Sequence, residues 1–409
     1  MENLKKQRLN KKTNKRDVSL SQQVNTYLSD VFSTQNVVNP QLIIALSGGL
    51  DSCALLHILA TLRHSVGFQL SAHHIHHALS PNADAWVDFC QTICNQHDIP
   101  LIISRVHVNA DSTSGIESAA RQVRYRALFS KNTGFICTAH HQDDQAETLL
   151  LQLARGAGVK GLAAMAPFDA KRKLLRPLLS ISRAELEQYA QQHQLAWIED
   201  ESNLNQQFDR NFMRHSILPS LMQQYPAIKQ NLSRSAMHLA EANDLLDVLA
   251  AQDAKSCFAD NQTISQLLLP PLMLLNQSRI NNVLRWWLAQ NHVAMPSTSQ
   301  LQQIAMQLFN AKADAAIKIK VTPENDDIDI QKKAELTLRR YQNSAYLVTE
   351  TRNDLPINTI WNGGSVMHFP NQANLIFNKK IGEGLAFKKF NYKDLVIKNR
   401  VGGERFKPD

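Results

Sequence analysis

Apolar positions in the first half of the chain recur with two periods. Residues 41–46 form a short apolar run ending in a Ser-Gly-Gly turn, and residues 51–60 then carry helical spacing, which predicts strand, loop and helix in that order. The same reading places strands at residues 70–75, 101–108 and 135–139. A helix is predicted to start at Ser80-Pro81, as N-cap and first helical residue, and another to span residues 115–129. Strands alternating with helices predict the α/β class, with a doubly wound, mostly parallel sheet. From about residue 231 to 311 the pattern is helical, with apolar stripes such as Val283-Leu284-Arg285-Trp286-Trp287-Leu288. Strand-like stretches follow at 316–321 and 336–348 around a polar turn, and the last segment, from about residue 354, is short and basic. The expected division is a disordered tail 1–38, an α/β domain 39–235, a mostly helical domain 236–350 and a small basic C-terminal domain 351–409.

Composition narrows the class without changing that picture. A chain of 409 residues is too long for one ordinary core. With 44% apolar and 20% charged residues it has the make-up of a soluble globular protein. Nothing approaches the ~18 uncharged apolar residues that would span a bilayer. The basic N-terminus lacks the apolar run of a secretory signal, so a cytoplasmic protein is expected. The five cysteines are scattered, odd in number and without a CxxC, which argues against disulfides, a zinc ribbon or a redox pair. Cys90 and Cys94, one helical turn apart beside Trp86 and Ile93, read as core packing. Of the net charge of +8, residues 1–17 supply +5 (seven Lys/Arg against Glu2 and Asp17), leaving +3 for everything else. Overall charge is therefore a weak argument for a nucleic-acid partner.

The chemistry concentrates in a few strings. Ser47-Gly48-Gly49-Leu50-Asp51-Ser52 sits at a strand-to-helix junction, where glycines admit an oxyanion and the helix N-terminus offers unpaired N–H groups and positive dipole. Asp51 would repel a bare phosphate, so it implies a bridging cation, most simply Mg²⁺. The bland alternative is a capped turn with Asp51 favouring the helix dipole. Because the Lys-Ser/Thr of a Walker A loop is absent, the loop points to pyrophosphate rather than to γ-phosphate transfer. In His140-His141-Gln142-Asp143-Asp144-Gln145-Ala146-Glu147-Thr148, the residues His140, Asp144 and Glu147 stand at i, i+4 and i+7 and are expected on one helix face. Two carboxylates there can hold Mg²⁺, hold a substrate ammonium or take a proton from it, unless they merely begin a solvated acidic helix. Arg210 and Arg214, one turn apart, suit phosphates or else surface ion pairs.

Other strings weigh less. Gly156-Ala157-Gly158-Val159-Lys160-Gly161 fits GxGxxG but follows a helix, which makes a dinucleotide fingerprint improbable and leaves a loop near phosphates or a plain helix ending. The residues His73-His74-Ile75-His76-His77 alternate faces in a strand, too few per face for a transition metal.

Together these strings resemble the N-type ATP pyrophosphatases, an adenine nucleotide alpha hydrolase-like fold, and within them the tRNA(Ile)-lysidine synthetases. The narrower likeness rests on the 140–148 string, Arg155-Gly156 with Gly158 and Gly161, and Arg176-Pro177-Leu178-Leu179. It continues through Asp200-Glu201-Ser202-Asn203 with Arg210-Asn211 and Arg214, and Gly402-Gly403-Glu404-Arg405-Phe406. His76-His77-Ala78-Leu79 with Asn82 to Trp86 also resembles members. The likeness implies ATP and Mg²⁺, free L-lysine, and the CAU-anticodon isoleucine tRNA as partner. ATP would adenylate the wobble cytidine at its C2 oxygen, lysine would then displace AMP, and decoding would change from AUG to AUA. It implies phosphate binding by Ser47, Gly48, Gly49, Leu50, Asp51 and Ser52, with catalysis by Asp51, Asp144 and Arg210. It also implies lysine binding by Arg121, Asp144 and Glu147, a metal on Asp51 and Asp144, and tRNA binding by residues 351–409. Members continue past the GGERF-like string, so a shortened C-terminal domain is expected here. The alternatives are a tRNA thiolase of the same superfamily, which would need sulfur-carrying cysteines, and a non-catalytic RNA-binding relative.

Overall fold

The computed structural model describes residues 20–77, 80–107, 116–130, 134–199, 209–258, 264–310, 317–323, 334–351, 358–361, 364–369, 374–378 and 396–398. Residues 20–34 form a helix, α1. Leu20, Val24, Leu28 and Phe32 recur along it every four residues, and all are buried in the main core. That stripe overturns the expected tail as far as residue 38. The polar composition that suggested a solvated segment belongs to residues 1–19, outside the described residues, while an apolar face at helical spacing must find a partner.

The chain then runs β1 (Gln41–Ala45), α2 (Leu50–Val66), β2 (Gln69–His76), α3 (Ala83–Gln96), β3 (Leu101–Arg105), α4 (Ile116–Ser130) and β4 (Phe135–Cys137). It continues with α5 (Gln142–Ala154), α6 (Val159–Leu162), β5 (Phe168–Asp169), β6 (Leu174–Leu175) and α7 (Arg183–Gln192). The sheet order is β3-β2-β1-β4-β6-β5, parallel throughout except for β5 against β6. Leu42 stands level with Leu70 on one side and Phe135 on the other. Leu42, Ile44, Phe135 and Cys137 face a core shared with α1, α2 and α7, whereas Ile136 faces the other way, towards Leu128 of α4. With both faces covered, the strands read as continuous apolar runs, which is why they were legible. The start of α3 was not. It begins at Ala83, because the Ser80 hydroxyl accepts from the Asn82 N–H at 3.1 Å and so closes a turn instead of capping a helix.

From β1 the chain moves sideways to β2 and β3, and from β4 it moves the opposite way to β6 and β5. Beyond the carboxyl ends of two such adjacent strands the connections diverge and leave a crevice.

After α7 come α8 (Asp209–Phe212), a π-helical turn Met213–Ile217, α9 (Leu218–Gln224) and α10 (Ile228–Ala254). The chain divides into two units after Val248. The expected boundary at 235 fails because α10 runs unbroken through it. The second unit holds a 3-10 turn Lys255–Cys257, β7 (Gln266–Leu268), α11 (Leu269–Met273), α12 (Gln277–Gln290) and α13 (Thr298–Asn310). These are followed by β8 (Lys318–Lys320), β9 (Ala334–Tyr341) and β10 (Ser344–Thr351), which with β7 make an antiparallel sheet of order β7-β10-β9-β8. The helices expected between 231 and 311 are present but β7 interrupts them, and the single strand expected at 336–348 is a hairpin that turns at Gln342, φ +51°. Trp287, fully buried with Leu267 and Leu338, ties helices and sheet into one core. Two short antiparallel pairs complete the described chain, β11 (Asn358–Ile360) with β14 (Val396–Lys398) and β12 (Val366–His368) with β13 (Asn374–Ile376). The rest of the expected C-terminal domain, including residues 402–406, lies outside the described residues. Among the described residues no helix is long and apolar enough to cross a membrane.

Leu28 is fully buried, so Leu28→Ala should cost ~2–5 kcal/mol of unfolding free energy in urea titration. A change below ~0.5 kcal/mol would mean α1 is only laid on the surface.

Candidate active site

The crevice is built first from the end of β1. Gly48 holds φ +87°, and a Cβ there would stand 2.9 Å from Ile198 Cδ1 and 3.3 Å from Cys90 Sγ, so the turn needs a residue without a side chain. The Gly48 carbonyl accepts from the Ile198 N–H at 2.9 Å, which pins the loop to the segment after α7. Gly49 is the N-cap of α2 and offers no side-chain cap, so the first N–H groups of the helix lack an intrahelical acceptor. The Ser52 hydroxyl donates to the Gly49 carbonyl at 2.9 Å and lies 3.1 Å from the Ser47 hydroxyl. The result is an uncapped helix start with hydroxyls on either side, an arrangement able to hold an anion.

The second wall comes from the end of β4. α5 starts at Gln142, and His141 is its N-cap: the Asp144 N–H donates to His141 Nδ1 at 3.4 Å, while the His141 N–H donates to Asp144 Oδ2 at 2.9 Å. This corrects the expected spacing, since His140 lies outside the helix with Nδ1 2.8 Å from the Thr138 hydroxyl. His140 still lines the same cleft as Asp144 and Glu147. His141 Nε2 reaches between two carboxylates, 3.6 Å from Asp51 Oδ2 and 3.5 Å from Asp144 Oδ2, and so links α2 to α5. Burial pushes the His141 pKa down, but Asp144 and Asp51 outweigh it and raise the value above the ordinary one. His140 goes the other way, far below its ordinary value, through burial and the cations Arg210, Arg121 and Arg176, against the pull of Asp144.

Arg210 of α8 and Arg214 of the π-helical turn close the cleft. Arg210 Nε donates to Glu147 Oε2 at 2.7 Å and its Nη2 to Asp144 Oδ1 at 2.9 Å. Arg214 Nε donates to Glu147 Oε1 at 2.6 Å, and its Nη2 to Asp144 Oδ1 at 3.1 Å and Glu147 Oε2 at 3.0 Å. The Glu147 side chain is 1% exposed, so these are buried pairs and not the surface bridges that spacing alone allowed. Burial works to raise the Asp144 pKa, yet His141 and Arg210 hold its carboxyl far below the usual range. A π-helical turn is rare and is frequently found at functional sites.

The cleft, about 860 Å³, brings the expected residues together: loop residues Ser47, Gly49, Leu50, Asp51 and Ser52, with Arg121, Asp144, Glu147 and Arg210, all line it. The Arg121 guanidinium stands over the Tyr125 ring at 5.0 Å. The 156–161 glycines do not line it. Gly156 takes φ +69° just after α5, a helix ending. The histidine string is spent on separate partners, His73 with Ser104 at 2.9 Å, His74 with the Leu46 carbonyl at 2.9 Å, and His76 with Arg105 at 3.2 Å. Residues 200–203 and the Glu117 side chain lie outside the described residues.

Sequence reasoning missed two cations. Arg183 Nη1, from the first turn of α7, lies 4.0 Å from Asp51 Oδ2, and Lys229 of α10 pairs with Asp143 at 2.5 Å. Nothing local marks them. Arg183 sits inside a Ser182–Glu185 capping box that accounts for its neighbours, and only the fold carries Lys229 to a residue 86 positions away.

Among the described residues no group of three or more His, Cys, Asp or Glu is arranged to hold a metal. Mg²⁺ needs no such group, because it takes one or two carboxylates and completes its shell with phosphates and water. Asp51 fits that demand. Its Oδ1 is buried with no hydrogen-bond partner among the described residues, a hard oxygen beside the anion-binding turn. Asp144, the other expected ligand, has both oxygens engaged already.

The family profile described as "PP-loop domain" matches residues 18–221, and that described as "TilS substrate binding domain" matches residues 267–346. The tRNA(Ile)-lysidine synthase of Nitrosomonas europaea is 37% identical over 375 residues, which cover 90% of this chain and 79% of that protein. That of Coxiella burnetii is 38% identical over 389 residues, 92% and 82% of the two chains. One from Actinobacillus pleuropneumoniae serotype 7 reaches 42% over 314 residues, 75% and 70%. Among solved structures, a U34-tRNA thiolase from Methanococcus maripaludis aligns at 19% identity with a TM-score of 0.48, over 56% of this chain and 80% of that one. That likeness is too slight to carry an argument.

The Lys229–Asp143 pair gives a pH test. Burial would raise the Asp143 pKa, but the hydrogen bond from Lys229 and the Arg183 N–H bring it below the usual carboxylate value. A carboxyl depressed in the folded state contributes stability above its unfolded pKa, about 4, and loses it as pH falls through the folded value. Lys229→Met should therefore cost ~1–3 kcal/mol at pH 7. The difference from wild type should shrink as urea titrations move below about pH 4. A pH-independent difference would assign the loss to packing instead.

Proposed function

This chain belongs to the tRNA(Ile)-lysidine synthase family, and from that premise we propose that it joins free L-lysine to C2 of the wobble cytidine of a CAU-anticodon isoleucine tRNA. The enzyme uses ATP and acts on tRNA. In the proposed reaction, a ligation that forms a carbon–nitrogen bond, the cytidine C2 oxygen attacks the α-phosphorus and pyrophosphate leaves. The lysine side-chain amine then attacks C2, and the C2–oxygen bond breaks with release of AMP. Since the substrate is tRNA, a cytoplasmic location is part of the proposal.

The observation that carries the reading is the pairing across one cleft of an anion-binding helix start with two buried carboxylates. The N–H groups at the start of α2 and the Ser47 and Ser52 hydroxyls hold the departing pyrophosphate. The orphaned Asp51 oxygen would hold Mg²⁺, which would supply positive charge to offset that of the phosphates. Asp144 and Glu147 hold the ammonium and accept its proton, which frees the amine to attack. Arg121 binds the other end of the amino acid, and Arg210 reaches the phosphates. Thiolation fits poorly. All five cysteines are buried, and burial raises the Cys53 thiol to about 12 and Cys94 to about 11, so none is a ready thiolate.

Incubation of the full chain with tRNA, ATP, Mg²⁺ and labelled lysine, followed by nucleoside analysis, should show label in the anticodon nucleoside in step with AMP. AMP release without label would sink the lysine assignment. Asp51→Asn should fold normally and lose roughly 10²-fold or more in AMP formation, and a near wild-type rate with Mg²⁺ would refute the cation role.

A further inference from the structure

Every carboxylate oxygen of Asp144 and Glu147 is already engaged within the chain in this structure. Five hydrogen bonds from Arg210 and Arg214 take up both oxygens of Glu147 and Oδ1 of Asp144, and the His141 N–H takes Oδ2. Two carboxylates against two guanidiniums leave the cluster neutral. An amine arriving alone would have to displace a fork-shaped, multiply bonded cation with a single ammonium, which is an unfavourable exchange. The arginine side chains are nevertheless 20% and 24% exposed, against 1% for Glu147, so their outer faces open to the cleft. The same cleft holds the anion-binding start of α2.

We propose that Arg210 and Arg214 are exchangeable counter-ions, which fill the ammonium subsite of Asp144 and Glu147 in the free enzyme and are drawn off it when a polyphosphate enters. This rests on the reading that nucleotide and an ammonium-bearing amino acid share the cleft. Guanidinium forks match phosphate oxygens as well as they match carboxylates. Once they turn to the phosphates, buried Glu147 loses the five-bond clamp it shares with Asp144 and Asp144 keeps only His141, a costly state that an ammonium relieves. Nucleotide binding thus creates the demand for the second substrate, and by linkage the amino acid tightens the nucleotide by the same factor. Lysine alone stays out, so the enzyme is not occupied by free amino acid before it is charged with nucleotide.

Two measurements test the exchange on the full chain. Equilibrium dialysis of labelled lysine should give at least tenfold tighter binding with Mg²⁺ and α,β-methylene-ATP than without. Measurable and equal affinity in both conditions overturns the proposal. The second measurement does not depend on lysine being the amine. Glu147→Gln removes one of the acceptors that holds the arginines, so its affinity for inorganic tripolyphosphate should rise at least threefold over wild type. Glu199→Gln removes the same charge from the cleft lining without touching any of these ion pairs and should gain clearly less. An unchanged or weakened affinity in Glu147→Gln, or an equal gain in Glu199→Gln, overturns the exchange. If Glu147→Gln gains as expected and lysine binds under neither condition, the exchange stands and the lysine reading fails instead.

Discussion

Strands β1 and β4 lie side by side and parallel, and the chain leaves them in opposite lateral directions. Everything functional follows from that reversal. The connections that follow the two strands cannot pack over one another, so the starts of α2 and α5 flank a common opening. One start is left bare at Gly49 and asks for an anion. The other is capped by His141, whose far nitrogen reaches back to Asp51. The two helices are linked through an imidazole that stands between a carboxylate of each.

The electrostatics of the opening are those of a site that must handle both signs. Anion-seeking groups (the α2 N–H groups, Arg121, Arg183) stand close to cation-seeking ones (Asp51, Asp144, Glu147). Buried charges of this kind persist only when paired. Where the partner is part of the chain, as at Glu147, the pair is complete. At Asp51 Oδ1 no hydrogen-bond partner is found among the described residues. The two carboxylates differ in that the fold supplies partners to Glu147 and, among the described residues, none to Asp51 Oδ1.

The membership in a tRNA-modifying family and the division of the chain agree in outline. The α/β unit carries the cleft, and the profile for substrate binding falls on residues 267–346, which make the helices and antiparallel sheet around Trp287. With a net charge of only +3 beyond residue 17, recognition of a polyanion by such a chain depends on local patches and not on overall charge.

By itself the sequence determined the α/β order of the first unit, because parallel strands buried on both faces and helices with one apolar face write distinct local periods. It determined the anion turn too, since Gly48 must hold a positive φ at a strand-to-helix junction, a requirement written within six residues. It marked Asp144, Glu147, Arg210 and Arg214 as candidates, which the structure brings into one cleft. What it could not decide was who meets whom. Arg210 and Arg214 lie more than 60 positions from the carboxylates they grip, and Lys229 lies 86 from Asp143. His141, one position from the histidine that spacing favoured, proved to be the cap. The α1 stripe and the hairpin at Gln342 were hidden for a related reason, because a polar neighbourhood or a two-residue turn leaves little local trace. Local periodicity reports which face of an element is buried. Only the tertiary fold, by bringing distant charges into a cleft where solvent no longer screens them, decides which of them become partners.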